Sequence, residues 1–346
     1  MRLLTRGDLD GLTCAVIISL NEAVDELLLT HPQKIADGKI EIRETDIIAN
    51  LPFQKGCALW FDHHQHTTAK APTEPFEGAF GQAPSAARLA YEYYGGLLTM
   101  PQLEELVHET DRLDSADLTL DDILDPQGYI QLGYTLDSRT GLGDLNEYFM
   151  SLLDLLVTNT PIDQVLAYPE VEERSGRLEM EDIELHAALK VYSEVDGNVV
   201  LTDFRDLDPV PVGNRFLVYA VYPKINVEAR VQWRKDMKIP MLTLGHSVIN
   251  RTCQTDVGEL ASRYGGGGHR GAGSLVFAVS GTNAHAGIGL DHDAVTVFDH
   301  FPYTGRGHPH PVFMIFDFFG DTDFHLNTPR MVNLLILDDF AWFFVL

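Results

Sequence analysis

Acidic and histidine side chains follow predicted buried strands at several points in the first part of the sequence. The run Leu59-Trp60-Phe61 leads directly into Asp62-His63-His64. An uninterrupted apolar run of this kind is typical of a buried strand in a parallel sheet. The carboxyl ends of such strands are where open α/β sheets bind ligands. Carboxylates and imidazoles placed there suit metal binding or proton transfer, and a chance His pair on a surface turn is the alternative.

A pair of acids follows the first predicted strand, Arg2–Thr5. Asp8 and Asp10 lie between Gly7 and Gly11, and apolar residues at helical spacing predict a helix from residue 12 to residue 29. Alternate residues of an extended segment point to the same side, so both carboxylates can face one site. One Asp would suffice to cap the helix, and two acids between glycines are more than a cap needs.

Two further acids complete the candidate set. Asp46 follows the second predicted strand, Ile40–Arg43, and Asp111 lies on a predicted helix that starts near Pro101. Asp114 and Asp117 come shortly after it, and we interpret them as a solvated acidic helix end.

The composition limits the classes of partner. The sequence has 25 Lys and Arg against 51 Asp and Glu, which gives a formal net charge of −26. Such a surface repels long nucleic acids, so a phosphate substrate has to be small and met by metal ions or a local Arg cluster. Three widely spaced cysteines favour a reducing cytosol. Without a secretory signal or an apolar stretch of about 20 residues, we expect a soluble cytoplasmic protein that does not bind membranes.

The pattern changes to strands near Asp196. Apolar and polar residues alternate from Val227 to Trp233, which predicts a strand with one solvent-facing side. The continuous apolar run Phe216–Tyr222 and the segment Met241–Gly245 predict two more strands.

A glycine-rich run follows the helix predicted for Asp256–Tyr264. It spans Gly265–Gly273 and contains His269 and Arg270. Glycines let backbone N–H groups approach an anionic ligand, and the two basic side chains add donors. A flexible linker is the alternative, which we disfavour because a strand pattern resumes at Ser274.

We therefore predict an α/β protein with two domains and an active site in the cleft between them. The N-terminal domain has a mostly parallel sheet with flanking helices, and the smaller C-terminal α/β domain has a mixed sheet. The predicted boundaries are 1–140 for a metal-binding catalytic domain, 141–195 for a helical connecting region and 196–280 for a substrate-binding domain. Residues 281–346 hold ten of the 18 Phe but no Lys, and we interpret them as an atypical tail that is non-native or disordered.

Taken in order, these motifs resemble those of the DHH phosphoesterase superfamily. Asp62-His63-His64 is the name-giving motif, and the Gly7–Gly11 segment resembles the first motif of the family. Asp46 and Asp111 fit the second and fourth motifs, and Gly266–His269 resembles the motif of the DHH-associated substrate domain. The resemblance covers roughly residues 1–280.

The resemblance implies a site with two manganese ions, for which magnesium or cobalt are alternatives. The implied metal ligands are Asp8, Asp10, Asp46, His63 and Asp111, with Asp46 bridging the two ions. His64 would face the substrate phosphate, and Asp62 would orient a neighbouring ligand. The implied substrate contacts are Gly266, Gly267, Gly268, His269, Arg270 and Arg251. Many members place a His four residues before the first Asp, where this sequence has Leu4, so the first metal site is expected to differ.

The function implied by the resemblance is a manganese-dependent phosphoesterase of the exopolyphosphatase-like or oligoribonuclease-like branch. Its substrate would be small and phosphate-rich, such as polyphosphate, a short oligonucleotide or a nucleoside bisphosphate, attacked by a water activated between two metals. The alternative is a non-catalytic sensor of nucleotides or phosphate that keeps the fold. A homodimer is left open.

Overall fold

Five parallel strands form the sheet that carries the candidate residues. The computed structural model describes residues 1–64, 74–136, 145–234 and 239–277, and the short segments 314–316 and 332–334. The strands of the first sheet are β1 (Arg2–Thr5), β2 (Glu26–Leu29), β3 (Asp46–Ala49), β4 (Leu59–Asp62) and β5 (Gly78–Phe80). They lie in the order β2-β1-β3-β4-β5, with every neighbouring pair parallel. The chain turns to opposite sides of β1 for β2 and β3, so a topological switch point lies between β1 and β3.

The central strands of this sheet are buried on both faces. Successive side chains of a strand point to opposite sides, and each side meets a hydrophobic core. Leu3, Ile47 and Phe61 pack into the main core, whereas Leu4, Ile48 and Trp60 pack into a smaller core on the other face. This two-sided burial explains the continuous apolar runs of the strands.

Helices cover the sheet and continue the chain toward the second half. They are α1 (Leu9–Asn21), α2 (Pro32–Ala36), α3 (Ala86–Tyr93), α4 (Glu104–Asp114), α5 (Leu120–Leu124), α6 (Gly128–Thr135), α7 (Asn146–Val157), α8 (Ile162–Leu166) and α9 (Pro169–Tyr192), with short 3₁₀ turns at Gly96–Leu98 and Pro101–Leu103. Helix α1 contacts α3, α4 and α7 and is buried along most of its length.

A second, mixed sheet follows α9. Its strands are β6 (Ser193–Asp196), β7 (Val199–Asp203), β8 (Val227–Trp233), β9 (Pro240–His246), β10 (Gly267–His269) and β11 (Ala272–Val276). They lie in the order β10-β11-β9-β8-β7-β6, in which only β7 and β8 are parallel among the described strands. Helices α10 (Leu217–Val221) and α11 (Val257–Ser262) accompany this sheet.

The two halves share a hydrophobic core. Ile123 and Ile130, from α5 and α6, are buried in one cluster with Leu189 of α9 and Val218 of α10. The segment that precedes α10 is thereby brought close to the helices of the first half.

The predicted fold class is confirmed, but three predicted elements are wrong. Helix α1 ends at Asn21 rather than continuing to residue 29, and the rest of that segment forms β2. Residues 40–43 are not a strand, and the next strand of the sheet, β3, begins at Asp46. Phe216–Tyr222 contains helix α10 rather than a strand, an ambiguity expected for a short apolar run.

The predicted tail, residues 281–346, lies outside the described residues except for two short segments. These are β12 (Met314–Phe316) and β13 (Val332–Leu334), which pair antiparallel. The boundary predicted between residues 140 and 141 also lies outside the described residues. In the described part of the chain, no helix combines the length and apolar character needed to span a bilayer.

Candidate active site

The segment after β1 places Asp8 and Asp10 at the carboxyl edge of the first sheet. Asp8 is the N-cap of α1, and its Oδ1 accepts a hydrogen bond from the Gly11 N–H at 2.9 Å. A Cβ at Gly11 would lie 2.0 Å from the backbone oxygen of Arg6, so a side chain cannot be accommodated there. The glycine lets the strand turn into the helix within the motif.

Asp10 is buried and held by the start of α3. Its two carboxylate oxygens accept hydrogen bonds from the N–H groups of Ala86 at 3.1 Å and Ala87 at 2.7 Å. Burial, together with the nearby charge of Asp114, raises the pKa of Asp10 to about 8. A buried carboxylate beside a second acid is costly without a cation.

His63 lies between Asp10 and Asp114. Its Nδ1 is 3.0 Å from the carbonyl oxygen of Ala83, and since a carbonyl only accepts, Nδ1 carries the proton of that hydrogen bond. The other ring nitrogen, Nε2, lies 3.0 Å from Asp114 Oδ2 and 3.9 Å from Asp10 Oδ2. Burial alone would lower the pKa of His63, but the interactions with Asp114 and Asp10 raise it to about 9.

The side chains of Asp10, His63 and Asp114 form a candidate metal centre. One potential ligand atom from each lies within 4.8 Å of the others. Asp114 is the last residue of α4, where the sequence pattern is interpreted as a solvated helix end. That interpretation is wrong, because Asp114 faces His63 at the sheet edge.

Asn50 is a further residue of this edge that the sequence analysis missed. It follows β3 with a φ of 56°, in the left-handed region that asparagine tolerates well. Its Nδ2 donates to Asp8 Oδ1 at 3.0 Å, and its Oδ1 is buried without a hydrogen-bond partner among the described residues. An asparagine directly after a buried apolar strand is the signal that could have identified it.

Two buried atoms at this edge test whether a cation fits. Nε2 of His63 and Oδ1 of Asn50 are both buried without a hydrogen bond of regular geometry in the described part of the chain. Imidazole nitrogen, amide oxygen and carboxylate oxygen are all donor atoms that divalent ions accept. The donor set therefore fits a divalent metal.

Asp46 is not brought to this edge. It is the first residue of β3 and lies at the opposite, amino edge of the sheet, fully buried. Arg2 binds its carboxylate through Nε at 2.9 Å and Nη2 at 2.6 Å, and the N–H of Arg43 adds a bond at 2.8 Å. The resemblance implies a bridging role for Asp46, but its carboxylate is bound by Arg2 at the edge opposite to Asp8 and His63, which does not support that role.

Asp111 lies near the centre but has other partners. Its Oδ1 accepts from the Ser85 hydroxyl at 2.6 Å, and its Oδ2 accepts from Arg88 Nε at 2.8 Å and Nη2 at 2.6 Å. Ser85 caps α3, the helix whose first N–H groups hold Asp10. The structure thus places Asp111 as a support of Asp10, while its predicted role as a ligand stays a prediction.

Asp62 and His64 form a pair beside the centre. Asp62 is buried at the end of β4, and its Oδ1 accepts from the backbone N–H of His64 at 3.2 Å and contacts His64 Nδ1 at 2.8 Å. The pair fixes the orientation of the half-buried His64 ring, which is what the predicted roles require.

The glycine-rich run lies in the second sheet. A Cβ at Gly266 would lie 2.2 Å from the Ser274 oxygen, and one at Gly268 would lie 2.2 Å from the Ala272 oxygen. Close packing of β10 on β11 is therefore one reason for these glycines. The Arg270 guanidinium bonds the backbone oxygen of Gln254 at 2.5 Å.

Arg251 contacts the first half of the chain. Its Nη2 donates to the carbonyl oxygen of Ala116 at 2.6 Å and lies 3.1 Å from Asp117. Substrate contacts of Arg251 and of the residues 266–270 stay predictions.

A cavity of about 610 Å³ opens beside the centre. Its lining includes Asp8, Asp10 and Asp114, together with the segment 213–216 from the second half of the chain. None of the residues 266–270 is among its described lining residues. The volume lies in the range of sites for small organic ligands, roughly 300–1,000 Å³.

Comparison with protein-family models and with curated proteins gave no match. Among solved structures, a pGpG-specific phosphodiesterase, PggH from Vibrio cholerae, matches with a TM-score of 0.70 and 36% sequence identity, covering 80% of this chain and 93% of that chain. The DHH domain of a member of a ribosomal protein family matches with a TM-score of 0.50 and 11% identity over 80% of this chain and 82% of that one. The latter likeness concerns the fold alone.

Proposed function

Because this chain belongs to the DHH phosphoesterase family, and is thus a hydrolase of phosphoester bonds, we propose that it cleaves a short linear dinucleotide of the pGpG type with the help of a divalent metal. The observation that carries the proposal is the cluster of the buried Asp10 with the partly buried His63 and Asp114 beside a cavity of about 610 Å³. The 36% identity to a pGpG-specific phosphodiesterase over 93% of that chain supports the choice of substrate.

The metal would be held by Asp10, His63 and Asp114, with Asp8 and Asn50 adjacent. When bound, a divalent ion there supplies positive charge for the phosphoryl group and lowers the pKa of water. Carboxylates with imidazole suit manganese or magnesium. We propose that the ion is manganese and that a second ion binds beside Asp8. Manganese is therefore the first metal to test.

The chain's own residues would bind and orient the substrate. Asp62 holds the His64 ring, so that His64 can donate a hydrogen bond to an oxygen of the scissile phosphate. Asp111 and Ser85 fix the start of α3 and, through it, the position of Asp10. The net charge of −26 repels long nucleic acids, and a cavity of about 610 Å³ suits a small ligand.

A substrate panel tests this proposal. Purified protein with manganese is incubated with pGpG, inorganic polyphosphate or a nucleoside bisphosphate, and the products are separated by anion-exchange chromatography. We expect pGpG to yield GMP, with Asp10→Asn reducing the rate at least about a hundredfold, since even residues that only orient metal ligands typically contribute 10–100-fold. Release of orthophosphate from polyphosphate as the preferred reaction would contradict the choice of substrate.

The non-catalytic sensor is the outcome if the protein binds pGpG but turns over none of these compounds. Homodimer formation stays a prediction, which light scattering of the purified protein tests directly.

A further inference from the structure

The cavity beside the metal centre has an unusual charge distribution for this protein. The acids in its described lining are Asp8, Asp10 and Asp114, all at the centre itself. The remaining charged lining residues are the cations Arg6, Lys34 and Arg215, with His31 beside them. Away from the centre, the charged lining of the cavity is therefore basic although the chain has a net charge of −26, and this part of the wall attracts anions.

The basic residues come from three separate parts of the fold. Arg6 follows β1, lines the cavity and pairs with Asp8, its Nε lying 3.0 Å from Asp8 Oδ2. His31 is the N-cap of α2, the helix that follows β2, and Lys34 lies within that helix. Nδ1 of His31 accepts from the Gln33 N–H at 3.1 Å, so in its neutral form the ring carries its proton on Nε2 and can donate it.

Arg215 is carried by a segment that is fixed from several sides. The Asn214 N–H donates to Asp182 Oδ1 at 2.5 Å, and the Asn214 side chain donates to the Ile123 oxygen at 3.3 Å and accepts from the Phe216 N–H at 3.0 Å. The Arg215 guanidinium lies over the Phe216 ring, 4.5 Å from its centroid. A guanidinium held in this way loses little freedom on binding, which favours tight recognition.

A buried hydroxyl supports a polar ligand in the same cavity. Tyr134 lines the cavity and is only 6% exposed, yet its hydroxyl has no hydrogen bond of regular geometry among the described residues. Its polar neighbour Asn214 is already bonded to Ile123 and Phe216, so a ligand oxygen would give the hydroxyl a well-formed hydrogen bond.

We propose that Arg6, His31, Lys34 and Arg215 form a subsite for the terminal phosphate of the substrate, and that this subsite selects dinucleotides that carry a 5′-phosphomonoester. The proposal rests on the proposed function and adds its specificity. Guanidinium and ammonium groups form charge-assisted hydrogen bonds with phosphate oxygens, and a dinucleotide without the terminal phosphate leaves them without that partner.

The test compares pGpG with GpG, which has the same scissile bond but no terminal phosphate. Steady-state kinetics with manganese are measured for wild type, Lys34→Gln and Arg215→Gln. Lys39→Gln is the matched control, because Lys39 is exposed and pairs with Asp37 outside the cavity lining. We expect wild type to prefer pGpG, and each subsite variant to raise KM for pGpG about tenfold, with GpG turnover unchanged. Arg215→Lys should restore part of the affinity.

The outcomes separate the subsite from the activity. Equal kcat/KM for pGpG and GpG in wild type, or an unchanged ratio in both subsite variants, would overturn the subsite while leaving the phosphodiesterase intact. If neither dinucleotide is hydrolysed, the proposed function fails, and the subsite is then tested by calorimetry in EDTA. The subsite is supported if the wild type binds pGpG more tightly than GpG and Lys34→Gln abolishes this difference. Equal binding of the two dinucleotides by the wild type refutes it.

Discussion

The two edges of the first sheet each contain a buried acid, and they treat it in opposite ways. At the amino edge, Asp46 is fully buried and receives two hydrogen bonds from Arg2. At the carboxyl edge, Asp10 is equally buried but faces Asp114 and His63. Its pKa is raised to about 8, chiefly by burial and next by Asp114.

The difference lies in the counter-ion. A buried carboxylate with a fixed guanidinium belongs to the architecture, because breaking such a pair leaves an uncompensated charge. Asp10 has no fixed guanidinium partner of this kind: its charged neighbours at the centre are a second acid, Asp114, and the titratable His63. Titratable groups clustered in this way are typical of functional sites. Burial alone therefore does not distinguish a structural acid from a metal ligand.

The largest effect separates Asp114 from Asp117, which the sequence presents as equivalent. We expect Asp114→Asn to lower kcat/KM on pGpG by more than about a hundredfold, because the side chain contacts His63 directly and even supporting residues contribute 10–100-fold. Asp117→Asn should change it less than about twofold, since an exposed ion pair contributes little. Equal losses in the two variants would remove Asp114 from the centre.

The second effect concerns stability at the amino edge. Asp46→Asn should lower the free energy of unfolding by about 3 kcal/mol, because the charge of Arg2 stays buried without its partner. Denaturant unfolding measures the loss, and activity per folded molecule should be unchanged. The double variant Arg2→Met with Asp46→Asn should recover part of the stability. Loss of metal binding in Asp46→Asn, with the fold intact, would instead restore Asp46 to the site.

The third effect is the pH dependence of metal binding. In the metal-free protein the pKa of Asp10 is about 8, and the pKa of His63 is about 9. At neutral pH both groups therefore hold protons that a metal must displace. Affinity should rise with pH, by about tenfold per unit for each proton released, and level off above the two pKa values. Calorimetry in buffers of different ionisation enthalpy counts the protons; no release at pH 7 would contradict this protonation state.

The smallest effect tests Asn50. A carboxylate in Asn50→Asp removes the donor to Asp8 and adds negative charge beside it. Without metal, the free energy of unfolding of the variant should be lower than that of the wild type by about 1 kcal/mol, as measured by denaturant unfolding. With manganese, the variant should be the more stable of the two, because an additional carboxylate ligand raises the affinity of the protein for the ion. A variant that is insensitive to metal would show that Asn50 lies outside the ion's reach.

The sequence predicted much of this edge. Asp8, Asp10 and His63 were located correctly near the strand ends because motif and strand are adjacent in the chain. Asp46 was misplaced because residues 40–43 resemble a strand, whereas the real strand is the continuous run that starts at Asp46 itself. When the strand is assigned to 46–49 instead of 40–43, Asp46 moves from the carboxyl edge of the sheet to the amino edge.

Other features depend on contacts that are distant in sequence. Asp111 and Asp114 lie three residues apart on α4, and residues at this spacing share a helix face. Which of them meets His63 is decided by Arg88 and Ser85 of a different segment, which bind Asp111. Likewise, the approach of residues 213–216 to the cavity follows from the shared core between the two halves.

Anomalous scattering recorded at the manganese edge from manganese-soaked crystals locates the metal in the protein. We expect a peak bound by Asp10, His63 and Asp114 at the carboxyl edge, with the Arg2–Asp46 pair undisturbed. A peak bound by Asp46, with Arg2 displaced from it, would instead place the metal at the amino edge of the sheet.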